Sequence, residues 1–231
     1  DKESKDLDAW LRKASVLDIL GRWDEAQAAY DKATEISPQN YEAWWEMGQF
    51  LSKSGDINES MKAYDRAIEL IPINDTALLT VAWMDKSEEL AAAGRWEDAL
   101  AAQEKALELD PKNRVGWTFK AFILKSLGRD NETLAAFDDA IKQNPEDVTS
   151  WQYKAGQLLE MKRYNESLEA YDRIINLTGE NDTADLAQAY WSKGLALNKT
   201  GRVSEAQEAF SKSLELYDHA LQENPGDFSL M

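Results

Sequence analysis

The stretch WTFKAFILKSLGRDNETLAAFDDAIKQNP, residues 117–145, contains each feature that recurs along this chain. It opens on Trp117, reaches a turn at Gly128, places Phe137 in its second half and ends at Pro145. Glycine accepts the left-handed backbone that ends a helix, and proline cannot continue one. The stretch therefore predicts two amphipathic helices joined at the glycine, a pair too small to bury its own apolar faces.

The same arrangement occurs six times. The opening aromatic residues are 34, 39, 34, 34 and 39 positions apart, and they are Trp10, Trp44, Trp83, Trp117, Trp151 and Tyr190. The turn positions hold Gly21, Gly55, Gly94, Gly128, Lys162 and Gly201. A small residue lies five positions after each turn, at Ala26, Ser60, Ala99, Thr133, Ser167 and Ala206. Such a period is typical of proteins in which stacked neighbours bury a continuous core.

This pattern resembles the tetratricopeptide repeat over about residues 7–218. The resemblance implies an all-α fold, a right-handed superhelical solenoid of six helical hairpins. A lysine three positions after most opening aromatic residues resembles the versions common in archaeal proteins, methanogens especially. These lysines are Lys13, Lys86, Lys120, Lys154 and Lys193.

A longer period of 107 residues relates the two halves of the repeat array. Residues 58–60 and 165–167 both read Asn-Glu-Ser, and residues 74–77 and 181–184 both read Asn-Asp-Thr-Ala. The array is therefore interpreted as a tandem duplication of a three-repeat block over residues 1–216. Residues 217–231 are expected to hold the end of the last helix and an apolar tail. The third repeat of each block is five residues longer, which predicts a longer first helix there.

Composition argues against an enzyme and against several classes of partner. The 231 residues include no cysteine and a single histidine, His219, and no catalytic motif is recognisable. We therefore predict no catalytic residue, no metal site and no cofactor. The net charge of −17 opposes nucleic acid and anionic membranes as partners. No apolar run approaches the roughly 20 residues of a membrane span.

Seven asparagines begin an Asn-x-Ser/Thr sequon, the acceptor motif for glycosylation of exported proteins. They are Asn58, Asn74, Asn131, Asn165, Asn176, Asn181 and Asn198. Glycosylation at these residues would place the chain outside the cell or on its surface, after removal of a signal peptide. A cytoplasmic location is the alternative.

Three sequons begin second helices and place their hydroxyl at the small position, at Ser60, Thr133 and Ser167. The repeats without such an asparagine carry alanine there. A hydroxyl at a close helix contact needs a hydrogen-bond partner, which alanine does not, so the pairing favours glycosylation. The alternative is that the asparagines only cap their helices.

The resemblance implies that the first helices form a concave groove for extended peptides. The Lys and Asn set with which one subclass holds a terminal carboxylate is absent here. The groove positions are instead mixed and apolar, which predicts a trough for an apolar strand or helix. Its residues would be Trp45, Met84, Phe119, Phe122, Leu159 and Trp191. The alternative is that these side chains pack within the stack.

Both ends of the array present apolar residues without a polar capping helix. At the start these are Leu7, Trp10 and Leu11, and at the end Phe210, Tyr217, Leu221, Phe228, Leu230 and Met231. End-to-end stacking of such faces predicts a homopolymer. The first functional hypothesis is thus a secreted, glycosylated surface protein that assembles into a filament or tube. The second is an adaptor that binds a partner peptide in its groove.

Overall fold

The computed structural model describes residues 2–179 and 182–223, and side chains within residues 6–179 and 182–222. These ranges hold twelve α-helices and no strand. The first six are α1 (Lys2–Ile19), α2 (Trp23–Ile36), α3 (Tyr41–Ser54), α4 (Ile57–Leu70), α5 (Thr76–Ala92) and α6 (Trp96–Leu109). The others are α7 (Arg114–Ser126), α8 (Asp130–Gln143), α9 (Val148–Glu160), α10 (Tyr164–Leu177), α11 (Thr183–Lys199) and α12 (Val203–Glu223).

Consecutive helices pair into hairpins, and the hairpins form two compact units. The first unit contains α1–α6 and the second contains α7–α12, so each corresponds to one three-repeat block of the sequence. The third hairpin of each unit begins with a 17-residue helix, α5 or α11, where the block carries its extra residues. The all-α fold of paired helices predicted from the repeats is confirmed.

Each hairpin turns through one residue with a left-handed backbone. Five turns use glycine, and the sixth uses Lys162 at a φ of 61°. In every hairpin the residue after this position donates its N–H to the carbonyl of a leucine five residues earlier. These leucines are all buried, and they are Leu17, Leu51, Leu90, Leu124, Leu158 and Leu197. The turn therefore satisfies a carbonyl at the helix end and fixes an apolar side chain in the core.

The two helices of a hairpin meet at a pair of small, buried residues twelve positions apart. In the second hairpin Ser60 donates its hydroxyl to the carbonyl of Gly48, with Oγ and O 2.8 Å apart. The equivalent hydroxyl of Ser167 lies 2.9 Å from the carbonyl of Ala155. A buried hydroxyl with an acceptor of this kind does not weaken the crossing. The small positions thus allow the close approach that the repeat pattern predicts.

Candidate functional site

In the second unit, the first helices α7 and α9 enclose an apolar hollow together with α8. It has a volume of about 530 Å³, and its apolar lining, named the trough here, consists of Val115, Thr118, Phe119, Phe122, Phe137 and Tyr153. Phe119 and Phe122 stack with ring centroids 6.0 Å apart, and Phe137 and Tyr153 with centroids 5.9 Å apart. Phe122 and Tyr153 remain 52% and 53% exposed, so aromatic surface stays open to a ligand.

Polar residues border the trough. Arg114 pairs with Asp147 at 3.3 Å, and Lys125 pairs with Glu160 at 2.7 Å. Gln157 also lines the hollow and is only 3% exposed. Its Nε2 donates to Asp130 at 2.9 Å, which sets the orientation of the amide because a carboxylate only accepts. Its Oε1 has no hydrogen-bond partner among the described residues.

The first unit has a hollow at the equivalent place, between α1 and α3, with an opposite lining. Its volume is about 660 Å³, and it is lined by Asp8, Leu11, Arg12, Ser15, Val16, Asp18, Tyr30, Glu42, Glu46, Gln49, Phe50 and Lys53. Burial, reinforced by the charges of Glu42 and Asp8, raises the pKa of Glu46 above the usual glutamate value. This hollow is therefore acidic where the trough is aromatic.

The trough contains two of the six residues that the sequence predicted for the groove, Phe119 and Phe122. Trp191 is exposed, whereas Trp45 and Leu159 pack against the cores of their own units. Met84 is half-buried on α5. Packing within the stack thus accounts for part of the predicted set.

Four trough residues lie outside the predicted groove set, Val115, Thr118, Phe137 and Tyr153. Val115 and Tyr153 lie outside the helical offsets that were inspected for the groove. Comparison of positions 107 residues apart would have revealed Val115 and Tyr153, because the first unit has Asp8 and Glu46 at the same places.

Side chains of all six sequon asparagines within the described ranges are exposed. Asn181 lies outside the described residues. The asparagines of the second helices are not N-caps: Asp56, Arg129 and Arg163 occupy those positions, and Asn58 is the second residue of α4. The capping alternative is therefore wrong for Asn58, Asn131 and Asn165. Because Ser60 and Ser167 bond to facing carbonyls, their hydroxyls also have a structural role independent of any sugar.

Three stretches of the sequence match models of the tetratricopeptide repeat, at residues 19–73, 81–113 and 187–219. Together they span slightly more than half of the chain. This chain carries tetratricopeptide repeats. A search of curated protein sequences gave no match.

Solved structures with tetratricopeptide repeats share the fold at low sequence identity. The C-terminal part of such a protein from Cytophaga hutchinsonii has a TM-score of 0.72 at 13% identity, over 96% of this chain and 84% of that one. MamA has a TM-score of 0.63 at 19% identity, over 80% and 95% of the two chains. YrrB, described as having an unusual peptide-binding site, has a TM-score of 0.54 at 20% identity, over 87% and 95%.

Of the six predicted end residues that the structure describes, Leu11 is buried and four others are partly buried. Leu11 is in the core of the first hairpin, and Leu7 and Trp10 pack against that core. Phe210 packs on the core of the second unit, and the hydroxyl of Tyr217 donates to Gln188. Leu221 is exposed, whereas Phe228, Leu230 and Met231 lie outside the described residues. Exposed apolar side chains nearby include Val16, Ile19, Leu20 and Leu214.

Two kinds of site are not found in the part of the chain that the structure describes. No group of three or more acidic, histidine or cysteine side chains is arranged to hold a metal ion there. No helix among those residues is both long and apolar enough to cross a membrane.

Proposed function

We propose that this chain is a non-enzymatic, protein-binding scaffold whose trough holds a large apolar side chain of an extended partner segment. The observation that carries the proposal is the exposed aromatic pair in the trough, Phe122 and Tyr153. Each ring already stacks on a second ring, Phe119 or Phe137, and is held in place. A ligand therefore meets a preformed surface and does not have to order it.

The energetics favour an apolar or aromatic ligand group. Covering about 100 Å² of apolar surface contributes roughly 2.5 kcal/mol at 25 cal/mol per Å². Stacking on an aromatic face adds about 0.5–1.5 kcal/mol. A few such contacts support the moderate affinity that is common for peptide ligands. Arg114 and Lys125 each form an ion pair with a carboxylate, so neither of them favours an acidic ligand.

Gln157 favours a peptide over a plain hydrocarbon as the occupant. Gln157 lines the same hollow as the trough, and its buried Oε1 has no partner among the described side chains. An unpaired buried acceptor costs about 1–3 kcal/mol, which a donated N–H would recover. A peptide backbone supplies such an N–H next to each apolar side chain.

The test is selection of random peptides on the full chain, followed by affinity measurements with the selected peptides. We expect enrichment of aromatic and large aliphatic residues, and binding that weakens at least about tenfold in Phe122→Ser or Tyr153→Ser. Ile73→Ser is the matched control, since Ile73 is an exposed apolar residue of the first unit. Equal binding by the trough variants and the control would contradict the proposal.

A second candidate is an exported, glycosylated surface protein of archaeal type that assembles end to end into a filament or tube. It is favoured by the exposure of six sequon asparagines and by the exposed apolar residues Leu214 and Leu221 on α12 and Ile19 on α1. The scaffold function is compatible with a location inside or outside the cell.

Two measurements test the second candidate. Glycosylated native protein would exceed the 26.2 kDa of the polypeptide in intact mass. Light scattering should show association that strengthens as salt screens the net charge of −17, and that is lost in Leu214→Asp/Leu221→Asp. Protein of unmodified mass that stays monomeric at high concentration would eliminate this candidate.

A further inference from the structure

The two units differ in charge at equivalent positions of their first helices. Seven carboxylates on α1, α3 and α5 are among those of the first unit that have no acidic counterpart 107 residues later. They are Asp8, Asp18, Glu42, Glu46, Asp85, Glu88 and Glu89, named the acidic face here. Their counterparts are Val115, Lys125, Thr149, Tyr153, Ser192, Leu195 and Ala196. A fold that accepts uncharged residues, or in one case a lysine, at these places does not need the carboxylates for its packing.

Between α1 and α3, the basic side chains leave two carboxylates without a cation. Arg12 pairs with Asp8 on its own helix, and Lys53 pairs with Asp18 at 3.1 Å. Glu42 and Glu46 have no ion pair within the described residues. Both line the 660 Å³ hollow, and Glu46 is half-buried there with a raised pKa. A ligand cation that entered this hollow would meet unneutralised charge.

On α5 the acidic face continues through three carboxylates. Asp85 accepts a hydrogen bond from Nε1 of Trp45 at 3.0 Å, and Glu89 accepts one from Ser52. Neither donor is charged. Burial, together with neighbouring carboxylates, raises the pKa of both Asp85 and Glu88. Such like-charge crowding is unfavourable in the free protein and is relieved by a bound cation.

A buried hydroxyl is directed at the same carboxylates. Tyr64, only 1% exposed, extends from α4 past α3, where its ring would lie 3.1 Å from a Cβ added at Gly48. Its hydroxyl has no hydrogen-bond partner among the described residues. The pKa of Tyr64 is raised by burial and by the charges of Glu89, Asp85 and Glu88 on α5. The buried neutral hydroxyl thus keeps an unused acceptor position next to these carboxylates.

We propose that the acidic face binds a Lys- or Arg-rich segment of a partner protein. The carboxylates are distributed along α1, α3 and α5, and no three of the described ones converge on a metal ion. Several separated charges along neighbouring helices match several cationic side chains along a peptide. The inference shares with the proposed function only the premise that the partner is a protein segment, since all its residues lie in the first unit.

The test measures binding of a fluorescent hexalysine peptide to the full chain at about 50 mM salt, where exposed charges are weakly screened. We expect Glu42→Gln/Glu46→Gln to weaken binding about five- to tenfold, and Asp85→Asn/Glu88→Gln to do the same. The matched control is Glu169→Gln/Asp218→Asn, which removes two exposed charges elsewhere and leaves the net charge equal to that of the other variants. This control should bind hexalysine like the unmodified chain.

Further arms separate the possible outcomes. Phe122→Ser should leave hexalysine binding unchanged, so failure of the trough proposal and failure of this one can be told apart. Absence of hexalysine binding, or equal weakening in the Glu169→Gln/Asp218→Asn control, would overturn the inference. Spermidine binding as tight as hexalysine binding would assign the face to a free polyamine and would also overturn it. Thermal unfolding of each variant confirms that the fold is retained.

Discussion

At the scale of the residue, Lys162 shows how far the repeat tolerates departure from its pattern. It holds a φ of 61° at the turn where the other five hairpins have glycine. A left-handed backbone brings the Cβ of an L-residue close to the following carbonyl oxygen and costs about 1–2 kcal/mol. The turn forms because its leucine carbonyl, at Leu158, is bonded by the N–H of Arg163 as in the other hairpins.

Lys162→Gly should therefore stabilise the second unit. Glycine relieves the backbone strain in the folded state but gives the unfolded chain more conformational entropy. The expected net increase in the free energy of unfolding is up to about 1 kcal/mol. Urea unfolding measures it as a higher midpoint with an unchanged slope. The matched control is Gly128→Lys, which introduces the same strain 34 residues earlier and should lose a similar amount. A loss of stability in Lys162→Gly would show that the lysine side chain contributes a contact.

The Ser60 sequon separates sugar attachment from packing. Both Asn58→Gln and Ser60→Ala destroy the acceptor motif, but only Ser60→Ala removes the buried bond to Gly48. We expect Ser60→Ala to cost about 0.5–1.5 kcal/mol, and Asn58→Gln to cost almost nothing because the side chain is exposed. If the native protein is glycosylated at Asn58, both variants should lose the same increment of intact mass. Equal stability of the two variants would show that the Ser60 hydroxyl bond makes no net contribution.

At the scale of the element, the same residue type has different roles on α3 and α11. Trp45 packs beside Ile71, Leu79 and Ala82, and its indole nitrogen bonds to Asp85 on α5. It therefore joins two neighbouring first helices of the first unit. Trp191 on α11 is 44% exposed. Both were predicted to line one groove, but the structure places only Trp191 at a free surface.

Trp45→Ala should destabilise the first unit by about 3 kcal/mol, at the low end of the range for buried aromatic side chains, because Trp45 is partly buried. Trp191→Ala should change the free energy of unfolding by less than about 1 kcal/mol. Hydrogen exchange would localise the first effect to α3–α5, and circular dichroism should show unchanged helical content for Trp191→Ala. Similar losses in both variants would mean that Trp191 belongs to the core.

At the scale of the whole molecule, two units with one architecture present different chemistry. Each contains three hairpins with the same turns and the same small residues at the crossings. The first carries the acidic face and the second carries the trough. Loss or gain of a charge on an exposed helix face changes stability little, so the two units can differ there without a change of fold. The net charge of −17 therefore does not show that the first unit carries an acidic surface and the second an aromatic one.

Mild acidification should stabilise the first unit. The pKa values of Glu46, Asp85 and Glu88 are raised in the folded chain, so the folded state binds protons more readily than the unfolded one. The free energy of unfolding then rises as the pH falls from 7 towards the ordinary glutamate value of 4.5. Around Glu46, Asp8 and Glu42 promote this effect, whereas Arg12 and Lys53 oppose it. Below that pH, protonation of ion-paired carboxylates reverses the trend.

Glu46→Gln tests the origin of this pH dependence. It should raise the unfolding midpoint at pH 7 and reduce the gain on acidification, because glutamine carries no charge to bury. Glu169→Gln, at an exposed position of the second unit, is the control and should retain the full pH dependence. A profile in which Glu46→Gln behaves like this control would assign the effect to other groups.

The pattern of residues within each repeat was sufficient to predict the helices and the turns. Glycine at the turn, a small residue five positions later and the aromatic spacing each act within one hairpin or between adjacent ones, so a one-dimensional pattern records them. The same pattern identified Phe119 and Phe122 of the trough, because they lie on first helices at groove positions. Lys162 at a left-handed turn was likewise predictable from its place in the register.

The tertiary structure decided which apolar and polar side chains remain free. Trp45 and Leu11 are apolar residues of the kind found at binding surfaces, but they pack against neighbouring helices. Tyr153 and Phe137 meet only because α8 and α9 pack together. Asn58 does not cap its helix, because α4 begins at Ile57, two residues before the position that a cap at Asn58 would give. The exposure of a side chain depends on its contacts with neighbouring helices. Residue type and spacing along the sequence do not specify those contacts. The sequence by itself therefore determined the hairpins, and the packing of the hairpins determined the surfaces.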